Sequence, residues 1–367
     1  MLKRSARKRF IIRTNLVLKV KMGLKSEIKG YHEKTSRSDS KGLVSYWDEE
    51  EFWNGDPTEV FSVIFRTQGC RWSYESGCSM CGYFTDTNPE INQSDLEKQI
   101  ETALEGYDGE KIVKIYTSGS FLDAEEVSED TALNLLESFD KKDAEKIVVE
   151  SRPEFIENEL VKKYSKKINQ LEIAVGLESA EDFILENCIN KGFTFDFYKK
   201  KLEKLPDTIS TRTYLLLKPP FLTEKEAKED VLNSINKISE LTDIISINPV
   251  NIQNGTYLEN LWRKNLYSPP WLWTIIDILS EARLDKNRIV VSQAGLGSER
   301  GASNCEECDE QIIRVIERIN QTNDKKYLED IPSCDCKKEW KIKRKIEPYL
   351  HFRGSPDILR NRYTGYV

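Results

Sequence analysis

The sequence predicts an α/β fold, with a parallel sheet wound by right-handed helical crossovers. Three observations predict it. Six short, apolar, β-branched runs recur along the chain. A helical stretch follows each, so neighbouring strands run parallel and are covered on both faces. A cysteine-rich loop directly follows the first run, where chemistry collects in such sheets. Strand pattern alone allows a closed or partial (β/α) barrel or an open doubly wound sheet.

The elements follow in order. Residues 26–58 are polar and broken by Gly30, Gly42, Gly55 and Pro57, and read as a weakly ordered lead-in. VFSVIF (60–65) is the first strand. A helix follows from SDLEKQIETAL, with Ser94 as N-cap and Glu97 completing a capping box. KIVKIYTSGS (111–120) is a strand ending in a small-residue turn, and EEVSEDTALNLLESF is helical. KIVVESRP (146–153) is a third strand stopped by Pro153, with a helix from Glu154. LEIAVGLES (171–179), RTYLLLKPP (212–220) and DIISINPVN (243–251) are the next strands. Helices are expected through 180–204, at 224–240 and after PPW at 269–271, and RIVVSQA (288–294) is a late strand.

Composition narrows the function. The chain has 367 residues, 38% hydrophobic and 32% charged, as in a water-soluble globular protein. No apolar run is long enough to span a bilayer and no secretory signal is legible, so a cytoplasmic location without membrane contact is expected. In a reducing compartment eight cysteines point to metal or catalysis before disulfides. Residues 1–25 hold nine Lys/Arg and no acid; the remainder has 46 basic against 62 acidic residues, net −16. Any nucleic-acid contact is therefore local. A second basic stretch with aromatics, KKEWKIKRKIEPYLHFRG, starts at Lys337. Two histidines, His32 and His351, argue against a Ser-His-Asp hydrolase, and no P-loop motif is present.

Cys70, Cys78 and Cys81 stand in GCRWSYESGCSMCGY with spacing C-x7-C-x2-C. Structural zinc takes four ligands. Three thiolates on a 4Fe–4S cluster leave one iron free for an outside ligand. Met80 precedes the third cysteine, TSGS (117–120) ends the second strand, ESRP (150–153) the third and GLES (176–179) the fourth.

These motifs resemble the radical S-adenosylmethionine superfamily, whose members fold as a partial (β/α)6 barrel. The long first spacing is similar to that of the Elongator-like subgroup. With LLLKPPFLTE, NPVNIQNGT and SPPWLW, the pattern is most similar to the archaeal archaeosine-forming radical enzymes. The resemblance implies a 4Fe–4S cluster on Cys70, Cys78 and Cys81 that initiates the radical. It implies S-adenosylmethionine held by Met80, Ser118, Gly119, Ser120, Glu150, Arg152 and Glu178. It implies a tRNA substrate with a lysine-formamidine adduct on 7-deazaguanosine at position 15, cut at a C–N bond. Its partners would be the lysine-transferring archaeosine synthase and a reducing electron donor. Lys218, Asn248, Asn251 and Gln293 lie near strand ends where the adduct would sit. Another Elongator-like or methylthiotransferase-like modification, and a non-catalytic zinc/RNA-binding protein, are the competing readings.

Cys305, Cys308, Cys334 and Cys336 form a second set that closes a tetrahedral site, expected to hold structural zinc, with an auxiliary iron–sulfur cluster as the alternative. Such a staple would present Trp340, Lys341, Lys343, Arg344 and Lys345 to RNA. Cys188 reads as a buried structural thiol. The expected organisation is an N-terminal arm and lead-in (1–58), the barrel (59–295), and a cysteine-rich, basic C-terminal region (296–367).

Overall fold

A computed structural model describes residues 23–283 and 287–347. The arm before residue 23 and the basic tail after residue 347, with His351, lie outside the described residues. One eight-stranded sheet runs in sequence order: β1 (Ser45–Trp53), β2 (Asp56–Ile64), β3 (Ile112–Tyr116), β4 (Lys146–Ser151), β5 (Leu171–Glu178), β6 (Ser210–Leu217), β7 (Ile244–Pro249) and β8 (Arg288–Val291). β1 pairs antiparallel with β2, and every later pair is parallel. Helices α1 (23–34), α2 (Arg71–Glu75), α3 (Gln93–Glu105), α4 (Glu129–Asp140), α5 (Asn158–Ser165), α6 (Asp182–Ile184), α7 (Phe195–Leu202), α8 (Glu224–Ile238), α9 (Tyr257–Arg263), α10 (Leu272–Glu281), α11 (Asp309–Thr322) and α12 (Cys336–Ile346) connect and cover it. Among the described residues, no helix is long and apolar enough to cross a membrane.

The strand alternation explains the layers. Val113, Ile115, Ile147, Val149, Ile173 and Val175 point outward into one large core shared with the helices. Val60, Ile112, Val148 and Ala174 form a small apolar cluster on the concave side. The rest of the concave side carries charge. Lys146 meets Glu172 at 2.8 Å, Arg212 meets Glu172 and Glu51 at 2.6 Å, and Lys114 meets Glu49 at 2.7 Å and Glu51 at 2.9 Å. Burial alone would raise the Glu51 carboxyl; Arg212, Lys114, Lys146 and Arg288 around it hold it well below its usual range.

The expected weakly ordered lead-in is corrected by the sheet. Residues 23–34 are helical, and 45–53 are a strand paired with β2 along its whole length. The acids that read as loop, Glu49 and Glu51, are inward positions held by cations of β3, β4, β6 and β8. The expected cap at Ser94 also moves: Asn92 caps α3 and forms the capping box with Asp95. The parallel set reaches seven strands because β8 joins it. The C-terminal region completes the barrel: α11 packs against β1, β2 and β8. Asn320 accepts from the Val291 N–H at 2.9 Å and donates to the Val291 carbonyl at 2.8 Å, blocking the free edge of β8.

Candidate active site

The loop after β2 places Cys70, Cys78 and Cys81 at the rim of a cavity of about 1390 Å³ inside the half-barrel. Cys70 caps the one-turn helix α2. Two outside segments fix the loop. Asn190, in left-handed backbone after β5, donates to the Ser76 hydroxyl at 2.7 Å and to the Gly77 carbonyl at 2.6 Å. Ser79 binds the carbonyls of Cys188 and Ile189 at 2.7 and 2.9 Å, and Cys188 itself is wholly buried. From the N-terminal side, Arg37 donates to Thr87 at 2.5 Å and Ser73 at 3.1 Å and stacks on Tyr74. His32 packs so closely that a Cβ on Gly77 would lie 2.1 Å from its ring, and Gly77 has a φ of +80°.

Each thiol of a cubane serves a separate iron, and three thiols on one loop would leave the fourth iron open. Burial pushes the Cys81 thiol up to about 12, so metal uptake must release protons. The positive charges of Lys191 and Arg152 oppose the burial effect at Cys78.

The expected cofactor residues are gathered at this rim, with one turned away. Met80, Ser118, Gly119, Glu150, Arg152 and Glu178 line the cavity. Ser118 adopts left-handed backbone with φ +58°. Ser120 is buried behind the turn, where its hydroxyl accepts from the Arg152 N–H at 3.1 Å. Arg152 donates to Glu154 at 2.5 Å and to the Lys191 carbonyl at 2.9 Å. Glu178 is paired with Lys191 at 2.8 Å. Glu150 makes no ion pair among the described residues; burial pushes it up to about 7 against a hydrogen bond from Tyr214 and the charges of Lys191 and Arg212. Asn248, Asn251 and Gln293 line the far wall. Lys218 does not; it is buried against Glu224 at 2.5 Å.

Sequence reasoning missed Glu126. Its carboxyl accepts from Ser120 N at 2.7 Å and Thr67 Oγ1 at 2.5 Å, and a Cβ on Gly119 would lie 2.1 Å from it. Thr67 Oγ1 also accepts from Gly69 N at 3.0 Å, just before Cys70. One buried acid thus joins the TSGS turn to the cysteine loop. Glu126 hides in the acidic run DAEEVSED, and only burial distinguishes it. Lys191 and Arg37 were missed for the same reason: their roles depend on distant chain.

The second set has the spacing of a single-ion site. Cys305–Cys308, Cys305–Cys334 and Cys308–Cys336 sulfurs lie 3.8, 3.5 and 3.6 Å apart. Tetrahedral thiolates about 2.3 Å from zinc would lie about 3.8 Å apart. Trp273 Nε1 donates to Cys336 Sγ at 3.1 Å. The adjoining basic helix differs from its expected role. Trp340 is 3% exposed and donates to Thr274 at 2.9 Å, and Arg344 pairs with Asp277 at 2.8 Å. Lys343 donates to Ser268 at 3.1 Å, leaving Lys341 and Lys345 exposed.

The fold and site together define a partial parallel barrel that carries three cysteines on its first parallel connection, at the mouth of its cavity. No protein-family model matches the chain. It is 36% identical over 332 residues to the archaeosine synthase subunit beta of Methanosarcina acetivorans, covering 88% of this chain and 95% of that protein. It is 36% identical over 310 residues to the Thermococcus kodakarensis protein of that name, covering 81% and 95%. The chain belongs to the archaeosine synthase subunit beta family. Among solved structures it is similar to a queuine lyase from Clostridium spiroforme bound to SAM and queuine, at 19% identity and TM-score 0.46, covering 67% of this chain and 96% of that one.

Proposed function

We propose that this protein completes archaeosine in tRNA by radical C–N cleavage of a lysine-formamidine adduct on 7-deazaguanosine at position 15. The observation that carries the reading is family membership over most of the chain, joined to three cysteines at the mouth of a deep cavity. A 4Fe–4S cluster on Cys70, Cys78 and Cys81 would supply, with S-adenosylmethionine, the carbon radical that removes hydrogen. The chain's own residues bind and orient. Ser118 and Gly119 present the turn to the cofactor, with Glu126 beneath it. Arg152, Glu150 and Glu178 offer charged groups at the same rim. Asn248, Asn251 and Gln293 supply neutral donors and acceptors for the adduct. Hydrogen leaves the lysine carbon bonded to nitrogen. One further electron would leave that carbon, so that the two electrons lost match the two that S-adenosylmethionine accepts on becoming 5′-deoxyadenosine and methionine; addition of water then brings the carbon to the aldehyde level as the C–N bond breaks, leaving the amidine on the nucleoside.

The second cysteine set holds structural zinc in this reading. The lysine-transferring archaeosine synthase is the protein partner, a reducing donor supplies electrons, and the setting is cytoplasmic. Mass spectrometry of lysine-modified tRNA, incubated with reduced, reconstituted protein, tests the function. The expected result is archaeosine with one 5′-deoxyadenosine formed per turnover. An unchanged nucleoside beside active cofactor cleavage would overturn the archaeosine assignment and retain the radical chemistry.

A further inference from the structure

The chain has seven tryptophans, and six of them are buried or half-buried. Trp47 is 39% exposed. That exposure is to the cavity. Trp47 shares the inward face of β1 with Glu49 and Glu51, two and four residues on, and it lines the cavity wall. Its indole lies parallel to the Tyr116 ring, with 3° between the planes and 6.1 Å between centroids. Tyr116 lines the cavity as well. Among the described residues no second ring stacks on Trp47, and its Nε1 makes no hydrogen bond.

Two parallel rings with an open indole face gain from being covered by a third flat ring. The surroundings select which ring. β1 brings Asp48, Glu49, Glu50 and Glu51 to the cavity lining. These acids repel phosphate, so a nucleotide would keep its backbone at the mouth and send in its base. They also suit the positive charge of an amidine. Enzymes that act on a base within folded nucleic acid extrude it and hold it against aromatic side chains.

We propose that Trp47, backed by Tyr116, is the stacking platform for the extruded 7-deazaguanine base. The inference rests on the reading above, in which that base carries the lysine adduct, and it fixes where the base lies. Tyr116 ends β3, and Ser118 follows two residues on, in the turn at the cysteine rim. At about 3.3 Å per residue, the platform stands within about 7 Å of that turn. The lysine carbon that loses hydrogen is three bonds from the ring, across a planar amidine. The planar peptide unit spans about 3.8 Å over the same number of bonds. A base on Trp47 therefore carries its reacting carbon toward the cofactor turn.

Wild-type protein, reconstituted and supplied with S-adenosylmethionine, is titrated with archaeosine nucleoside. Stacking quenches an exposed indole, so tryptophan emission should fall on binding. Trp47→Phe should bind within threefold by calorimetry and lose that fall. Trp47→Leu stays apolar but has no flat face, and its binding should weaken at least tenfold, the scale of one base–aromatic stack. Nε-formimidoyl-L-lysine carries the adduct without the base, and should bind wild type and Trp47→Leu alike, which separates lost stacking from a damaged fold. Nucleoside binding by the wild type without quenching would overturn the inference, whatever the variants do. On lysine-bearing tRNA, Trp47→Leu should lower kcat/KM at least tenfold, and Trp47→Phe should restore it. An unchanged kcat/KM in Trp47→Leu would overturn the platform and leave the archaeosine reading standing. A wild-type protein quenched by the nucleoside yet unable to change this tRNA would support the platform and remove the archaeosine reading instead.

Discussion

The two cysteine sets solve opposite problems with the same side chain. Cys305, Cys308, Cys334 and Cys336 come from two segments far apart in sequence, yet their sulfurs gather within 4.8 Å. Cys308 and Cys336 stand at the starts of α11 and α12, so closing the site fixes two helices. Cys70, Cys78 and Cys81 come from one loop and face a cavity. Four ligands saturate a tetrahedral ion, and three leave a cluster iron available. The saturated set organises its own surroundings. The unsaturated set is held by others: Asn190 from one side, Arg37 and His32 from the other. Under the proposed function, ligand number and scaffolding would separate a staple from a reactive centre.

The largest expected effect divides the two sets directly. Cys78→Ala should abolish 5′-deoxyadenosine formation and leave the melting temperature within a few degrees, because the loop hydrogen bonds do not use that thiol. Cys308→Ala should do the reverse in kind: loss of one metal ion by elemental analysis and a fall of several kcal/mol in stability, since metal binding and docking of α12 are one event. Equal destabilisation by both variants would break the distinction. A second, smaller effect concerns charge. Arg37 lies near Cys70 and Cys81, and Arg152 and Lys191 near Cys78. Positive neighbours favour the reduced, more negative cluster. Arg37→Gln should thus move the reduction potential of the trio's cluster to a more negative value and leave the second metal's content unchanged. A potential that does not move would limit Arg37 to holding the loop.

Much of this was legible because it is local. The runs at 60–65, 146–153 and 171–179 became β2, β4 and β5, since each has a continuous apolar outward face and an apolar residue, Val60, Val148 or Ala174, on the inward one. Both cysteine sets were legible from spacing. β1 was not: SYWDEEEFW places inward acids opposite cations 63 (114 − 51) to 237 residues away, and no local pattern encodes those partners. Trp340 followed the same logic in reverse. It reads as a stacking aromatic in a basic stretch, but α12 docks with that face inward against Thr274. Glu126 and Asn190 carry no local mark at all; each acts by joining one loop to another.

The smallest effect sharpens the idea that the open set depends on borrowed support. Glu126 is buried with no ion pair among the described residues, and burial pushes its carboxyl up to about 7 despite the Thr67 and Ser120 donors. The unfolded chain releases that proton near 4.5. Between those values the folded protein keeps a proton that the unfolded chain has lost, so stability declines as pH rises through this window and levels off above it. About 2.5 pH units correspond to about 3 kcal/mol at most. Glu126→Gln cannot ionise, so urea denaturation should show the variant gaining on the wild type from pH 5 to pH 7.5. The neutral acid already carries a proton on one oxygen, and the Gln amide keeps that pattern, accepting from Ser120 N and donating to Thr67 Oγ1, so S-adenosylmethionine binding below pH 7 should change by less than about threefold. Metal retention at the second set should be untouched. A stability difference that stays flat across this range would mean that Glu126 is ionised in the folded protein, and would remove it as the neutral tie between the TSGS turn and the cysteine loop.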